Sequence, residues 1–148
     1  MLVGKGPLDH VIRVVIEHEK ILNVRLVSFT SPEKIPMYYR AAMFSVLFSH
    51  SDAWGLVISE SLANGTPVVA TDTCYAASEL IVNDGNGQLI GDDEVQLRTA
   101  MTTMLSKTPE ELEAMSRHAV SSVRTYTIEQ MVKEHLGIFE EFSKGGEE

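Results

Sequence analysis

The apolar positions of this chain switch repeatedly between clustered runs and helical spacing, and the switches mark its elements. Leu2 and Val3 close a short strand that Gly4-Lys5-Gly6-Pro7 breaks. From Leu8 to Leu22, Val11, Ile12, Val15, Ile16 and Ile21 recur at helical spacing and predict a helix. Val24 to Phe29 reads as a second strand. Ser31-Pro32-Glu33 then opens a helix over Ile35 to Ala42, with proline near its first turn. Met43 to Phe48 is a short β-like run with apolar residues on both faces, as a buried parallel strand requires. A helix from Trp54 or Gly55 to Ala63 stops at Asn64-Gly65, and Pro67 to Thr71 is another strand. A short helix from Ala76 to Val82 ends at Asn83-Asp84-Gly85, and Gln88 to Ile90 is the last strand. Beyond it the pattern is helical. Asp93 to Leu105 is one helix, Thr108-Pro109-Glu110-Glu111 starts a second, and Thr127 to Phe142 is the third. Ser143 to Glu148 is expected to fray.

Alternation of about five short strands with helices predicts an α/β fold, a Rossmann-like doubly wound parallel sheet covered on both faces. Residues 1–142 would form the domain and 143–148 its tail. The chain begins almost inside its first strand, whereas a doubly wound domain begins with a complete strand and helix, so the domain is expected to be incomplete at its start.

A length of 148 residues, 44% of them hydrophobic, suits one domain with a sizeable core. Twenty-one acids against twelve Lys and Arg give a net charge of −9, which argues against nucleic acid, whose phosphates need basic patches. The single cysteine, Cys74, forms no internal disulfide and suits the cytoplasm. No apolar run approaches the ~20 residues that span a bilayer, and the N-terminus has no signal-peptide pattern. Peripheral membrane contact stays open.

The chemistry concentrates in Ser49-His50-Ser51-Asp52-Ala53-Trp54-Gly55-Leu56-Val57-Ile58-Ser59-Glu60. This segment leaves a buried strand and opens a helix. In a doubly wound sheet, ligands bind beyond the carboxyl ends of the strands. The first helix amides point there unsatisfied, and the helix dipole favours an anion such as a diphosphate. Gly55 would let a bulky ligand approach the backbone. Helical side chains lean toward the N-terminus, so Glu60, about one turn in, reaches back toward the ligand. A carboxylate there suits sugar hydroxyls rather than phosphate, and Asp52 could serve a second sugar. In so acidic a chain the spacing of these two residues carries almost no information. What gives it weight is the following helix, the Gly65-Thr66-Pro67 turn and the buried strand after it.

Read whole, Asp52-Ala53-Trp54-Gly55-Leu56-Val57-Ile58-Ser59-Glu60-Ser61-Leu62-Ala63-Asn64-Gly65-Thr66-Pro67-Val68-Val69 resembles the signature of glycosyltransferase family 4, a GT-B fold family. Glu79-Leu80-Ile81 with Asp84-Gly85-Asn86-Gly87 resembles a further family region, and Gly4-Lys5-Gly6-Pro7 and Ile35-Pro36-Met37-Tyr38-Tyr39 fall in family order. The likeness spans residues 2–125. It implies one half of a GT-B fold, the C-terminal donor-binding domain of a retaining glycosyltransferase, truncated at its N-terminal side. The donor would be a UDP- or GDP-linked sugar and the acceptor a glycan or lipid-linked acceptor. The acceptor-binding domain would lie outside this chain, as would an Arg and a Lys that neutralise the diphosphate, and the fragment alone would be inactive. The location would be cytoplasmic, or peripheral at a membrane through the missing domain. By the same resemblance, Glu60 would bind the ribose and Asp52 the donor sugar. Trp54, Gly55, Leu56 and Val57 would offer backbone amides to sugar and diphosphate. His50 would lie close to the sugar, and Phe29 and Thr30, ending the stretch from Val27, beside the base. No metal and no cofactor would be needed. Ser28, Phe48 and Asn64 depart from the usual residues.

Two other readings keep the fold but change the chemistry: a non-catalytic nucleotide-binding or interaction module, and a sugar-nucleotide epimerase of GT-B architecture. The second lacks a visible acid/base constellation. Gly4-x-Gly6 lacks the third glycine of a dinucleotide fingerprint. Lys5 reads as an exposed lysine, and Asp84-Gly85-Asn86-Gly87 as a turn before a strand. His10 and His18 read as a solvated helix face, Cys74 as a non-nucleophile, and Tyr38, Tyr39 and Phe44 as core.

Overall fold

A computed structural model describes residues 1–144 of the chain. Its contacts divide the chain into two compact units, one of Met1–Tyr38 and one beginning at Tyr39.

In the first unit, strands β1 (Leu2–Val3) and β2 (Leu26–Val27) pair in parallel, Leu2 with Leu26 and Val3 with Val27. Helix α1 (Asp9–His18) connects them, with Asp9 in its first turn accepting from Arg13 Nε at 2.9 Å. The apolar pattern runs on to Leu22, but α1 stops at His18. Glu19 leaves helical geometry and Lys20 takes φ +52°, which ends the i→i−4 ladder. A 3₁₀ turn (Pro32–Lys34) leads into α2 (Ile35–Arg40), which ends two residues before Ala42.

The second unit holds the larger core. Strands β3 (Ser45–Leu47), β4 (Val68–Thr71) and β5 (Gly87–Ile90) form a parallel sheet in the order β3-β4-β5. Helix α3 (Leu56–Ala63) joins β3 to β4, and α4 (Tyr75–Leu80) joins β4 to β5. Every residue of the central strand is buried. Successive side chains of a strand point to opposite faces, and the two core clusters follow that rule. Val68 and Ala70 pack with Ile58, Leu62, Ala77, Leu80 and Ala119. Val69 packs with Ile90, Ala100, Met104 and Met115, and Phe44 and Phe48 lie partly buried against them. The sheet is thus covered on both faces. All five strands expected from the sequence are present and every pairing is parallel. They hydrogen-bond as a pair and a triple rather than as one sheet, because β1 and β2 are two residues long and pair only with each other.

The C-terminal helices start within one residue of where the sequence places them. Asp93 caps α5 (Glu94–Leu105), its carboxylate accepting from the amides of Val95 at 2.6 Å and Gln96 at 3.0 Å. Thr108 and Glu111 make a reciprocal capping box on α6 (Pro109–Ser122), with amide-to-side-chain bonds of 3.2 and 2.7 Å. Helix α7 (Ile128–Lys144) follows. Of the tail expected from Ser143, two residues continue this helix, and 145–148 lie outside the described residues.

Asn86 does more than its place in a turn suggested. It is fully buried, accepts from the Val82 amide at 2.7 Å, and donates to the Leu80 carbonyl at 2.8 Å and to Ser122 Oγ at 2.9 Å. It therefore ties the end of α4 to α6 across the start of β5. Asn86→Ala would leave the Val82 amide and the Leu80 carbonyl without these partners beside a buried position. The expected loss is about 2 kcal/mol of unfolding free energy, read by urea denaturation. A midpoint equal to wild type would remove the clamp assigned to this side chain.

Candidate functional site

The loop between β3 and α3 is pinned to the end of β4. The Thr71 hydroxyl donates to the Ser49 carbonyl at 2.7 Å and accepts from the Ser49 amide at 3.2 Å, and the Thr73 hydroxyl lies against the same carbonyl. Asp52 and Cys74 form an isolated parallel bridge. The Trp54 carbonyl accepts from the Ala76 amide at 2.8 Å and from Cys74 Sγ at 3.7 Å. The indole packs at a tilt on Tyr75 and Tyr126, with ring centroids 5.5 and 6.5 Å away. The structure therefore brings Asp52, Trp54 and Gly55 together beyond the carboxyl ends of β3 and β4.

Gly55 caps α3 with φ +91° and ψ 58°, in the left-handed region, and no side chain caps the helix. A Cβ there would stand 2.5 Å from Cys74 Sγ and 3.2 Å from Ile58 Cδ1. This glycine is thus fixed from the inside, by core atoms and by its own dihedrals. The sequence suggested only the outside reason, room for a ligand. Among the described residues no group accepts from the amides of Gly55, Leu56 or Val57, and Leu56 and Val57 are exposed. The Trp54 amide differs from the expected set of four donors. It already donates to Asp52 Oδ1 at 3.1 Å, so three amides lack an acceptor rather than four, and of these that of Gly55 belongs to a buried residue while Leu56 and Val57 are exposed. The same bond holds the half-buried Asp52 in a turn over the start of the helix.

Glu60 lies on α3 about one turn beyond these amides, its side chain exposed. Its Oε2 accepts from the phenol of Tyr39 at 3.0 Å. Burial first, and then the negative charge of Glu60 and the bond itself, push the Tyr39 phenol well above its ordinary value. Tyr39 is therefore a standing donor to this carboxylate rather than only a core ring. The sequence held no signal for the pair, which is 21 residues apart. His50 is exposed and its Nδ1 pairs with Asp92 Oδ2 at 2.6 Å, a partner from the loop after β5 that the sequence did not single out. Phe29 and Thr30 follow β2 in the first unit, Phe29 exposed and Thr30 half-buried. Cys74 is fully buried; burial and then the Asp52 charge push its thiol up, away from the thiolate a nucleophile needs. Among the described residues no three His, Cys, Asp or Glu side chains are placed to hold a metal ion, and no helix is long and apolar enough to cross a membrane.

Chemically, the arrangement joins an anion site of open amides to a hydroxyl site of carboxylates. A ligand that carries phosphate and polyol groups together fits it. The chain is also similar to known proteins. The family model described as "Glycosyl transferases group 1" matches residues 1–121. A D-inositol 3-phosphate glycosyltransferase from Thermomonospora curvata is 34% identical over 120 residues, covering 76% of this chain. This chain spans only 27% of that relative's length. The sucrose-phosphate synthase of Thermosynechococcus elongatus shares the fold at 22% identity, with a TM-score of 0.81 over 98% of this chain and 38% of that one. The HepE protein of Anabaena, solved in complex with UDP-glucose, aligns at 25% identity with a TM-score of 0.72 over 92% of this chain and 40% of that one.

Proposed function

Because the chain belongs to the glycosyl transferases group 1 family, we propose that it forms the donor-binding domain of a retaining glycosyltransferase, across residues 1–142. The enzyme would move a sugar from a nucleotide-diphosphate donor to a glycan or lipid-linked acceptor in the cytoplasm. The observation that carries this reading is the start of α3. A left-handed glycine starts a helix whose first amides, on the exposed Leu56 and Val57, have no acceptor among the described residues, and a carboxylate held by a phenol lies one turn behind them.

Each part has a role that follows from its chemistry. The amides of Gly55, Leu56 and Val57, with the helix dipole, take the diphosphate. As the bond from the sugar to the phosphate oxygen breaks, negative charge grows on the leaving diphosphate, and donors already aimed there stabilise the transition state more than the ground state. Glu60 accepts from the ribose hydroxyls. Asp52, on the loop above the helix, accepts from the donor sugar, with His50 close to it. UDP is the favoured nucleotide, since HepE, similar along most of this chain, holds UDP-glucose.

Titration of the isotope-labelled chain with UDP, GDP and ADP, followed by NMR, tests the reading. UDP at millimolar concentration is expected to move the amide signals of Gly55 to Glu60 first and most. Undisturbed signals in that segment would count against a donor site here.

A further inference from the structure

We propose that Tyr39 is a positioning residue for nucleotide binding, because its phenol holds Glu60 by one carboxylate oxygen and so presents the other to the ribose hydroxyls. The inference rests on the role given to Glu60 above.

Glu60 is tied to the end of α2 at two points. The Tyr39 phenol donates to Oε2 at 3.0 Å. Arg40, the next residue, donates through Nε to Asn64 Oδ1 at 3.1 Å, and the Asn64 amide group donates to the Glu60 carbonyl at 2.9 Å. Tyr39 itself is anchored through its backbone. Its carbonyl accepts from the buried Thr66 hydroxyl at 2.8 Å, and the Thr66 carbonyl accepts from Ser61 Oγ at 2.9 Å. The ring of bonds runs from α2 through the Gly65-Thr66-Pro67 turn and back to the residue after Glu60. A long, exposed carboxylate side chain normally samples many rotamers, and binding a ligand must freeze them. Here one oxygen is already engaged, while Oε1 has no partner among the described residues. A ligand bonded to Oε1 thus meets a side chain whose rotamer loss is largely complete. A phenol is protonated throughout the neutral range, and the upward shift here only extends that, so Tyr39 remains a donor.

A pocket-forming hydroxyl of purely structural value would affect all ligands alike, whereas a positioning hydroxyl affects only those that use Glu60. The chain and its Tyr39→Phe, Glu60→Ala and double variants are therefore titrated with UDP and with 2′,3′-dideoxy-UDP, which lacks the ribose hydroxyls. Tyr39→Phe is expected to weaken UDP about fivefold and leave the dideoxy nucleotide unchanged. Added to Glu60→Ala, it should cost nothing further. Equal losses for both nucleotides, or no loss for UDP, would overturn the positioning role while leaving the donor site standing. If UDP disturbs nothing near Gly55 to Glu60 in the unaltered chain, the donor site and this inference fall together.

Discussion

Glu60→Ala is expected to weaken UDP binding about 50-fold with the fold intact. Hydrogen bonds to a charged acceptor contribute about 1.5–3 kcal/mol each, and 1.4 kcal/mol is tenfold in affinity. Removing the carboxylate removes the acceptor for the ribose hydroxyls, which the ligand must still strip of water. In the free protein the same side chain is exposed and makes one side-chain bond, to Tyr39. Stability should therefore fall by only about 1 kcal/mol, chiefly from the Tyr39 phenol losing its acceptor. Calorimetric titration with UDP, beside a melting curve, separates the two quantities. Unchanged UDP affinity in a folded variant would remove Glu60 from the site. In the assembled enzyme the same substitution should abolish most sugar transfer.

Gly55→Ala acts on stability instead, and strongly. Its new methyl group would meet Cys74 Sγ at 2.5 Å, and the residue would keep a φ of +91°. Overpacking a core costs about 1–3 kcal/mol and a left-handed L-residue about 1–2 kcal/mol. Their sum, about 3 kcal/mol, corresponds to a melting point lowered by roughly 10 °C for a chain of this size. The double variant Gly55→Ala/Cys74→Ala divides the two causes. It frees the space that Sγ occupies and leaves the dihedral strain, so its midpoint should rise part of the way back toward that of Cys74→Ala alone. Full recovery would mean the backbone is not strained, and no recovery would mean Cys74 is not the obstacle.

The parts of the molecule that sequence made legible share a local cause. The run Val68 to Thr71 announces a buried strand because no polar side chain larger than threonine interrupts it. Thr108-Pro109-Glu110-Glu111 announces a helix start because the capping box is a contact between residues three apart. The start of α5 is legible to within a residue, and its cap by Asp93 is likewise a local contact, two and three residues along. The end of α1 is not legible, for the converse reason. The apolar spacing persists to Leu22, but Lys20 turns left-handed after Glu19, and no residue there signals it as a glycine would. At the site, Asp52, Gly55 and Glu60 stood out through their neighbours in the chain. The partners of Tyr39, Thr66 and Asp92 did not, since each bond spans 21 to 42 residues. Asn86 fell between these cases: its position in the turn was visible, but its bond to Ser122 was not. Contacts of that kind depend on which helix lies against which strand.

The fit of Cys74 beneath Gly55 has a practical side. It is the single cysteine of the chain, with no exposure to solvent and a thiol shifted away from the reactive form. An alkylating reagent reaches it only when the loop carrying Trp54 and Gly55 lifts off the sheet. The pace of labelling in native buffer is then a clock for the opening of that loop. The protein carries its own probe of breathing at the spot where the diphosphate is proposed to rest.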